Sequence, residues 1–198
     1  RSFHVTGVQT CALPISPDAI PLVLSVGRLM PSKRVDVLLR AVAEARLAVR
    51  GIRLEVIGEG PEEGALRTLA TDLGMDSSVA FRGRVSDEGL VDAYRRATVL
   101  ASASISEGWG MTITEAAACG TPAVVTDISG HRDAVRDGHS GLLADGPPDL
   151  AARLIEVVGD PGRRAALSAG AILMAARFDW DRTATEAFRV LASTAGGQ

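Results

Sequence analysis

Apolar positions follow two alternating patterns along the chain from about residue 20 onward. Short continuous apolar runs that end in Gly or a polar residue predict buried β-strands. The longer stretches between them carry apolar residues at three- and four-residue spacing, which predicts amphipathic α-helices. The predicted strands are 21–27, 52–61, 78–83, 98–104, 122–127 and 141–145. The predicted helices are 34–48, 62–74, 86–97, 111–119, 149–158, 161–177 and 183–192.

The alternation of strands and helices indicates the fold class. Strands separated by helices and short turns pair in parallel through right-handed crossovers. The sequence therefore predicts an α/β domain with a Rossmann-like, doubly wound parallel sheet. In such sheets ligands bind beyond the carboxyl ends of the strands. The candidate ligand-binding loops are those that follow Val26, Ile57, Phe81, Ser102 and Val125.

Composition and charge narrow the class of protein further. The 198 residues are 46% hydrophobic but only 4% aromatic, which is typical of an α/β core filled by Ala, Val and Leu. The formal net charge is −3 and no basic run is present, so we expect no nucleic-acid partner. No apolar stretch approaches the length needed to span a membrane.

The start of the chain differs from the rest. Residues 5–15, VTGVQTCALPI, resemble the translation of a short-read sequencing adapter. We therefore expect residues 1–16 to be an artefactual or disordered leader and residues 17–198 to form the folded domain. Without the leader, Cys119 is the remaining cysteine, and a lone Cys in an alanine-rich run is typical of packing. The absence of a disulfide framework fits a reducing, cytoplasmic location.

The loop GRLMPSKR, residues 27–34, has the chemistry of a diphosphate site. Gly27 ends a predicted strand and permits a tight turn. Arg28 and Lys33 then flank the predicted start of a helix, whose free N–H groups carry positive partial charge. A guanidinium and an ammonium at that position would bind a diphosphate. The alternative is that both are ordinary solvated charges.

The stretch EGWGMTITEA, residues 107–116, offers a second anion site. Gly108 and Gly110 lack side chains, so a ligand could approach the backbone closely. The predicted helix begins near Met111, which directs the N–H groups of Gly110, Met111 and Thr112 toward the same point.

Two carboxylates accompany this second site. Glu107 lies at the turn itself, and Glu115 lies about one helical turn inside the predicted helix. Carboxylates held in fixed positions accept hydrogen bonds from vicinal hydroxyl groups. A ligand with both phosphates and hydroxyls, such as a nucleotide sugar, would use both sites. The alternative is that Glu107 complements the helix dipole and Glu115 is merely exposed.

Other candidates carry weaker signals. The turns at 58–61 and 81–85 end strands at the same edge and could enclose a base, although a plain turn is the simpler interpretation of each. A lone loop histidine such as His131 is more often incidental than ligand-binding, and Trp109 is expected to pack. The sequence contains no metal-ligand cluster, Walker-type loop or nucleophile elbow.

Several segments together resemble one enzyme family. The segments SVGRLMPSKRVDVLLRA, VIGEGP, SEGWGMTITEAAACGTPAVVTD, GHRDAVRDGHSGLLAD and FDWDRTA occur in this order. The order is similar to the C-terminal half of retaining glycosyltransferases of family four, which have the two-domain GT-B fold. The most specific element is the pair Glu107 and Glu115 combined with the loop that contains Arg28 and Lys33. Arg34 follows Lys33 where many relatives have Gly, a tolerated departure.

The resemblance implies a role for each candidate residue. Arg28 and Lys33 would bind the donor diphosphate and stabilise the leaving nucleotide, and Glu107 would bind donor-sugar hydroxyls. The remaining donor contacts would come from Gly27, Gly108, the backbone of Gly110, Met111 and Thr112, the base-site residues Arg84 and Val85, and Glu115 at the ribose. No metal ion or other cofactor is expected, because these cations and helix ends replace one. Glu107 and Glu115 would thus be a hydroxyl-binding pair and not an acid/base dyad.

The resemblance also implies what the chain would need for turnover. The acceptor-binding N-terminal domain of the family is missing, so we expect weak donor binding and no turnover by this chain. The full enzyme would transfer a hexose, with retention, to a glycan, lipid or small-molecule acceptor in cell-wall, lipid-linked glycan or polysaccharide synthesis. Peripheral association with the inner membrane face stays open. The alternatives are a sugar-nucleotide epimerase and a non-catalytic nucleotide-binding module on the same scaffold.

Overall fold

The computed structural model of the chain describes residues 20–178. Its sheet contains six parallel strands in the order β3-β2-β1-β4-β5-β6. The strands are β1 Leu22–Val26, β2 Arg53–Ile57, β3 Val79–Gly83, β4 Val99–Ser102, β5 Ala123–Thr126 and β6 Gly141–Ala144. The predicted Rossmann-like, doubly wound α/β fold is confirmed.

The helices of the described residues cover both faces of the sheet. They are α1 Val35–Ala48, α2 Glu63–Asp72, α3 Asp87–Arg96, α4 Met111–Ala118, α5 Ser129–Arg132, α6 Pro147–Gly159 and α7 Pro161–Ala175. Six of them match predicted helices, whereas α5 was predicted as a loop because a single turn shows no helical periodicity. The predicted helix 183–192 and the leader 1–16 lie outside the described residues.

Two apolar clusters, one on each face of the sheet, hold the fold together. Val23 belongs to the cluster that includes the buried side of α1 and α6, and its neighbour Leu24 belongs to the cluster beneath α3 and α4. Successive strand residues point to opposite faces, so a strand buried on both sides must be apolar without interruption. This explains why β4, β5 and β6 are almost wholly apolar, whereas β2 and β3 also carry charged residues.

Local signals fix the helix ends. Ser86 caps the start of α3, since its hydroxyl accepts a hydrogen bond from the Gly89 N–H at 3.1 Å. Helix α6 begins at Pro147, two residues before the predicted start, because Pro is favoured in the first turn of a helix. Among the helices formed by residues 20–178, none combines the length and apolarity that crossing a bilayer requires.

The topology places two loops side by side at the centre of the sheet. The chain passes from β1 through β2 to β3 on one side, and then returns so that β4 pairs with the other side of β1. The carboxyl ends of β1 and β4 therefore meet at the point where the strand order reverses, which is the position where ligands bind in such sheets.

The loop after β2 supports the loop after β1 by close backbone contact. Gly58 has φ +134°, and a Cβ there would lie 1.9 Å from the Gly27 carbonyl oxygen. A Cβ at Gly60 would lie 2.3 Å from the Leu29 carbonyl oxygen. The Leu29 N–H donates to the Glu59 carbonyl at 2.9 Å. Glycine at these positions thus allows the two loops to touch, which holds the first loop in place.

Candidate functional site

An open cleft lies at this reversal point. The β1 side contributes Ser25, Val26, Gly27, Arg28, Leu29, Lys33 and Val35, and the β4 side contributes Ser102, Ser104, Glu107 and Thr112. Residues that are far apart in the sequence therefore form one concave surface with cations on one side and a carboxylate on the other.

The first loop presents its two cations differently. Arg28 is exposed, whereas Lys33 is half-buried at the end of a 3₁₀ turn, Pro31–Lys33. Arg34 follows in the left-handed conformation with φ 47° and leads directly into α1. Its side chain bonds the Asp36 carboxylate at 2.9 Å, so Arg34 is engaged with its own helix.

Lys33 joins the first loop to the second. Its Nζ donates to Glu107 Oε1 at 2.5 Å, and the Ser104 hydroxyl donates to the same oxygen at 2.7 Å. Burial acts to raise the pKa of Glu107, but the hydrogen bonds from Lys33 and Ser104 outweigh it and lower that pKa. Glu107 is therefore a carboxylate at neutral pH and compensates much of the Lys33 charge.

Glu115 occupies a different environment from Glu107. Its Oε2 accepts a hydrogen bond from the Tyr94 hydroxyl at 2.7 Å, and Glu115 is not among the residues that line the cleft. Tyr94 is 2% exposed, and its backbone carbonyl accepts from the Thr121 hydroxyl at 2.6 Å. Burial and the neighbouring Glu115 carboxylate raise the pKa of Tyr94, so Tyr94 stays a neutral donor.

The residues around the start of α4 divide into open and packed positions. Gly108 has open space where a side chain would lie, which leaves its backbone accessible. Gly110 is glycine for another reason, because a Cβ there would lie 2.6 Å from Ile113 Cδ1 and 3.1 Å from Ala134 Cβ. The Met111 N–H donates to the Trp109 carbonyl at 2.9 Å. Of the three predicted phosphate-binding residues, Thr112 is therefore the one that lines the cleft.

The predicted base-site residues lie at the neighbouring strand ends, outside the cleft lining. Arg84 is highly exposed and lies 3.3 Å from the Glu59 carboxylate. Val85 packs against the apolar cluster beneath α3 and α4. The structure thus brings together Gly27, Arg28, Lys33, Glu107 and Thr112, but it leaves Arg84, Val85, Gly108, Gly110, Met111 and Glu115 outside the lining of the cleft.

Two aromatic residues have environments that the sequence did not indicate. His131 is 1% exposed and belongs to α5, so the interpretation as a loop histidine was wrong. Trp109 was expected to pack, yet it is 41% exposed and makes an edge-to-face contact with Phe178 at 5.0 Å between ring centroids. Burial lowers the pKa of His131 and favours its neutral form.

Sequence reasoning missed the small polar residues of the cleft. Ser25, Ser102 and Ser104 lie at or just beyond the carboxyl ends of β1 and β4. The available signal was a hydroxyl residue at the end of an otherwise apolar run, which is where a ligand would need polar contacts. Within residues 20–178, no three His, Cys, Asp or Glu side chains gather as a metal site.

Comparison with known proteins identifies relatives along most of the chain. Residues 15–174 match the family model described as "Glycosyl transferases group 1". The D-inositol 3-phosphate glycosyltransferase of Acidothermus cellulolyticus is 44% identical over 173 residues, which are 82% of this chain and 38% of that protein. The protein with that name from Rhodococcus jostii is 42% identical over 82% of this chain and 38% of its own length. The chain therefore spans about two fifths of these relatives.

Solved structures support the fold. The pneumococcal O-GlcNAc transferase GtfA, solved with UDP and GlcNAc, superposes with a TM-score of 0.78 at 23% identity, over 87% of this chain and 35% of that one. HepE of Anabaena, solved with UDP and glucose, gives 0.78 at 24% identity, over 87% and 48% of the two chains. At this identity the likeness concerns the fold, which is that of one half of a GT-B glycosyltransferase.

Proposed function

The chain belongs to the glycosyl transferases group 1 family, and on that basis we propose that residues 17–198 are the nucleotide-sugar-binding half of a retaining hexosyltransferase. The observation that carries the proposal is the Lys33–Glu107 bond across the point where the strand order reverses. A phosphate-binding cation and a hydroxyl-binding carboxylate thereby share one cleft, which suits a donor with a diphosphate next to a sugar.

The cations of the cleft would bind the diphosphate. Arg28 is exposed at the rim and has no acidic partner among residues 20–178, so its guanidinium is available to a phosphate. The Lys33 ammonium has three N–H donors, so it could donate to Glu107 and to the same phosphates. Both cations would stabilise the charge that develops on the leaving nucleoside diphosphate. We include independence from a metal ion in the proposal, because these groups can supply the positive charge.

The carboxylates would bind hydroxyl groups. Glu107 Oε1 already accepts two hydrogen bonds, whereas Oε2 meets no donor among the described residues. Oε2 is therefore the atom we assign to a hydroxyl of the donor sugar. Glu115, oriented by Tyr94, would accept from the ribose hydroxyls once a nucleotide extends beyond the cleft. Arg84 and Val85 would border the base.

The reaction would consist of donor cleavage and transfer on one face of the sugar. The bond from the anomeric carbon to the diphosphate oxygen breaks, and the acceptor oxygen forms the new bond on the same face and loses its proton to the departing phosphate. This route needs no enzyme nucleophile, so Glu107, the carboxylate in the cleft lining, is assigned to hydroxyl binding and not to covalent attack.

The acceptor and the location belong to the whole protein. The relatives are longer than this chain, which supports an additional acceptor-binding domain. Two of them are D-inositol 3-phosphate glycosyltransferases, so a phosphorylated polyol is the first acceptor to test against glycan and lipid acceptors. We propose a cytoplasmic enzyme whose full-length form reaches membrane-bound acceptors peripherally, which co-sedimentation with anionic vesicles would test.

Calorimetric titration of this chain with UDP, GDP and ADP tests the donor site. We expect one nucleotide to bind, and Arg28→Ala and Lys33→Ala each to weaken it by about 1–3 kcal/mol, the range of a charge-assisted hydrogen bond. Arg53→Ala is the matched control, because Arg53 is the first residue of β2 and lies at the amino ends of the strands, away from the cleft. Unchanged affinity in both loop variants, or no binding of any nucleotide, would contradict the proposal.

A further inference from the structure

A chain of hydrogen bonds that does not involve Lys33 also reaches Glu107. The Ser104 hydroxyl donates to Glu107 Oε1 at 2.7 Å, and the Ser104 carbonyl accepts from the Thr126 hydroxyl at 2.6 Å. Thr126 is the last residue of β5. The carboxylate is therefore connected through Ser104 to the neighbouring strand as well as to the first loop.

The short helix α5 anchors the outer end of this chain. His131 Nδ1 lies 2.8 Å from the Thr126 carbonyl oxygen and 3.3 Å from its hydroxyl. A carbonyl oxygen only accepts, so Nδ1 carries the proton and Nε2 does not. His131 is 1% exposed, which makes this bond a fixed connection between α5 and the end of β5.

Helix α5 also touches the backbone of Glu107 directly. A Cβ at Gly130 would lie 2.3 Å from the Glu107 carbonyl oxygen and 2.9 Å from the Glu107 Cβ. Only a residue without a side chain allows this approach, so Gly130 brings α5 against the main chain that carries the carboxylate. The same element thus fixes the backbone of Glu107 and, through Thr126 and Ser104, its side chain.

We propose that Ser104, Thr126 and Gly130 are positioning residues that hold Glu107 Oε2 toward the donor sugar. Lys33 alone would draw the carboxylate toward the diphosphate, because it is the nearest cation. The Ser104 hydroxyl shares Oε1 with Lys33 and so fixes the rotation of the carboxylate, which leaves Oε2 facing a sugar hydroxyl. This inference rests on the proposed function. It adds that residues which do not contact the donor determine, through Glu107, the preference for the sugar.

A positioning role and a purely structural role of these residues predict different effects of substitution on ligand binding. Loss of positioning should weaken binding of a nucleotide sugar while it leaves binding of the bare nucleoside diphosphate intact, because Glu107 is assigned to the sugar and still pairs with Lys33 in these variants. Damage to the fold would weaken both ligands together. The ratio of the two dissociation constants is therefore the informative quantity.

Thr126→Val and Thr126→Ser form the matched pair, since Val removes the hydroxyl and Ser keeps it. The probes are the nucleotide among UDP, GDP and ADP that binds most tightly and its glucose conjugate, titrated into the 198-residue chain. We expect Thr126→Val, which removes the bond to the Ser104 carbonyl, to weaken the glucose conjugate several-fold with bare-nucleotide affinity unchanged. Ser104→Ala, which removes the bond to the charged Glu107, should weaken the glucose conjugate roughly tenfold and more than it weakens the bare nucleotide. Thr126→Ser should retain both affinities.

Different results would refute the proposed function and the positioning role. If the wild-type chain binds no nucleotide, the proposed function is refuted and the inference falls with it. If it binds but Thr126→Val and Ser104→Ala weaken both ligands equally, or neither, the proposed function stands and the positioning role is overturned. The same conclusion follows if Thr126→Ser is as impaired as Thr126→Val.

Discussion

Replacing Lys33 with Met should destabilise the folded chain by breaking its bond to Glu107. The two atoms are 2.5 Å apart, and the side chains are 27% and 18% exposed. A hydrogen bond to a charged group contributes about 1.5–3 kcal/mol, and an exposed ion pair contributes about 0–1 kcal/mol. The pair is partly buried and Ser104 still donates to Glu107 in the variant, so we expect a loss of about 1–2 kcal/mol.

The effect should depend on pH with a defined sign. The pKa of Glu107 is lowered from 4.5 in the folded chain, so its carboxylate adds stability above that value. This stability is lost as the pH falls through the folded pKa, because a protonated Glu107 no longer pairs with Lys33. In Lys33→Met the effect of burial opposes ionisation, and the pKa of Glu107 should rise. The difference in unfolding free energy between wild type and variant should therefore be largest near neutral pH and shrink below 4.5.

Urea unfolding followed by circular dichroism measures these quantities. Wild type, Lys33→Met, Glu107→Gln and the double variant form a cycle whose coupling energy isolates the pair. The exposed pair of Arg67 and Glu63 on α2 provides a control cycle, with an expected coupling of only about 0.5 kcal/mol or less. A coupling energy near zero for Lys33 and Glu107 at neutral pH would refute the reasoning. A destabilisation that is equal at all pH values would refute it as well.

Two further variants test other contacts of the site. Tyr94→Phe removes the donor to Glu115 Oε2, so we expect a loss of about 1 kcal/mol in urea unfolding and weaker nucleotide binding; unchanged affinity would contradict the assignment of Glu115 to the ribose. Gly130→Ala places a methyl group against the Glu107 backbone, and we expect destabilisation by about 1–3 kcal/mol. Gly64→Ala in α2 is its control, because open space surrounds that position and Ala should stabilise the helix; equal effects of the two substitutions would count against the close packing of α5.

The sheet and its binding loops could be predicted because their signals are local. Most strands are short, largely apolar runs and most helices exceed two turns, so the pattern of apolar positions in 20–178 identifies them. The general rule for parallel sheets then directs attention to the loops after Val26 and Ser102, which form the two sides of the cleft. Ligands bind beyond the carboxyl ends of parallel strands, and locating those ends requires only the order of strands and helices along the chain.

Contacts between the loops could not be predicted because they depend on which strands are neighbours. The Lys33–Glu107 bond joins residues 74 positions apart, and it follows from the pairing of β1 with β4. Helix α5 has four residues, too few for a periodic signal, so its packing role was not visible. Gly110 shows the same limit, because sequence alone does not distinguish a glycine that admits a ligand from one that admits a neighbouring side chain.

The most direct test of the account is a nuclear magnetic resonance titration of the chain with whichever nucleoside diphosphate, UDP, GDP or ADP, binds most tightly. Our central claim is that the loops after β1 and β4 form one donor site. We predict that the amide signals of Gly27, Arg28, Lys33, Glu107 and Thr112 shift together along one saturating curve. Shifts confined to one of the two loops, or centred at the amino ends of the strands near Arg53, would contradict it.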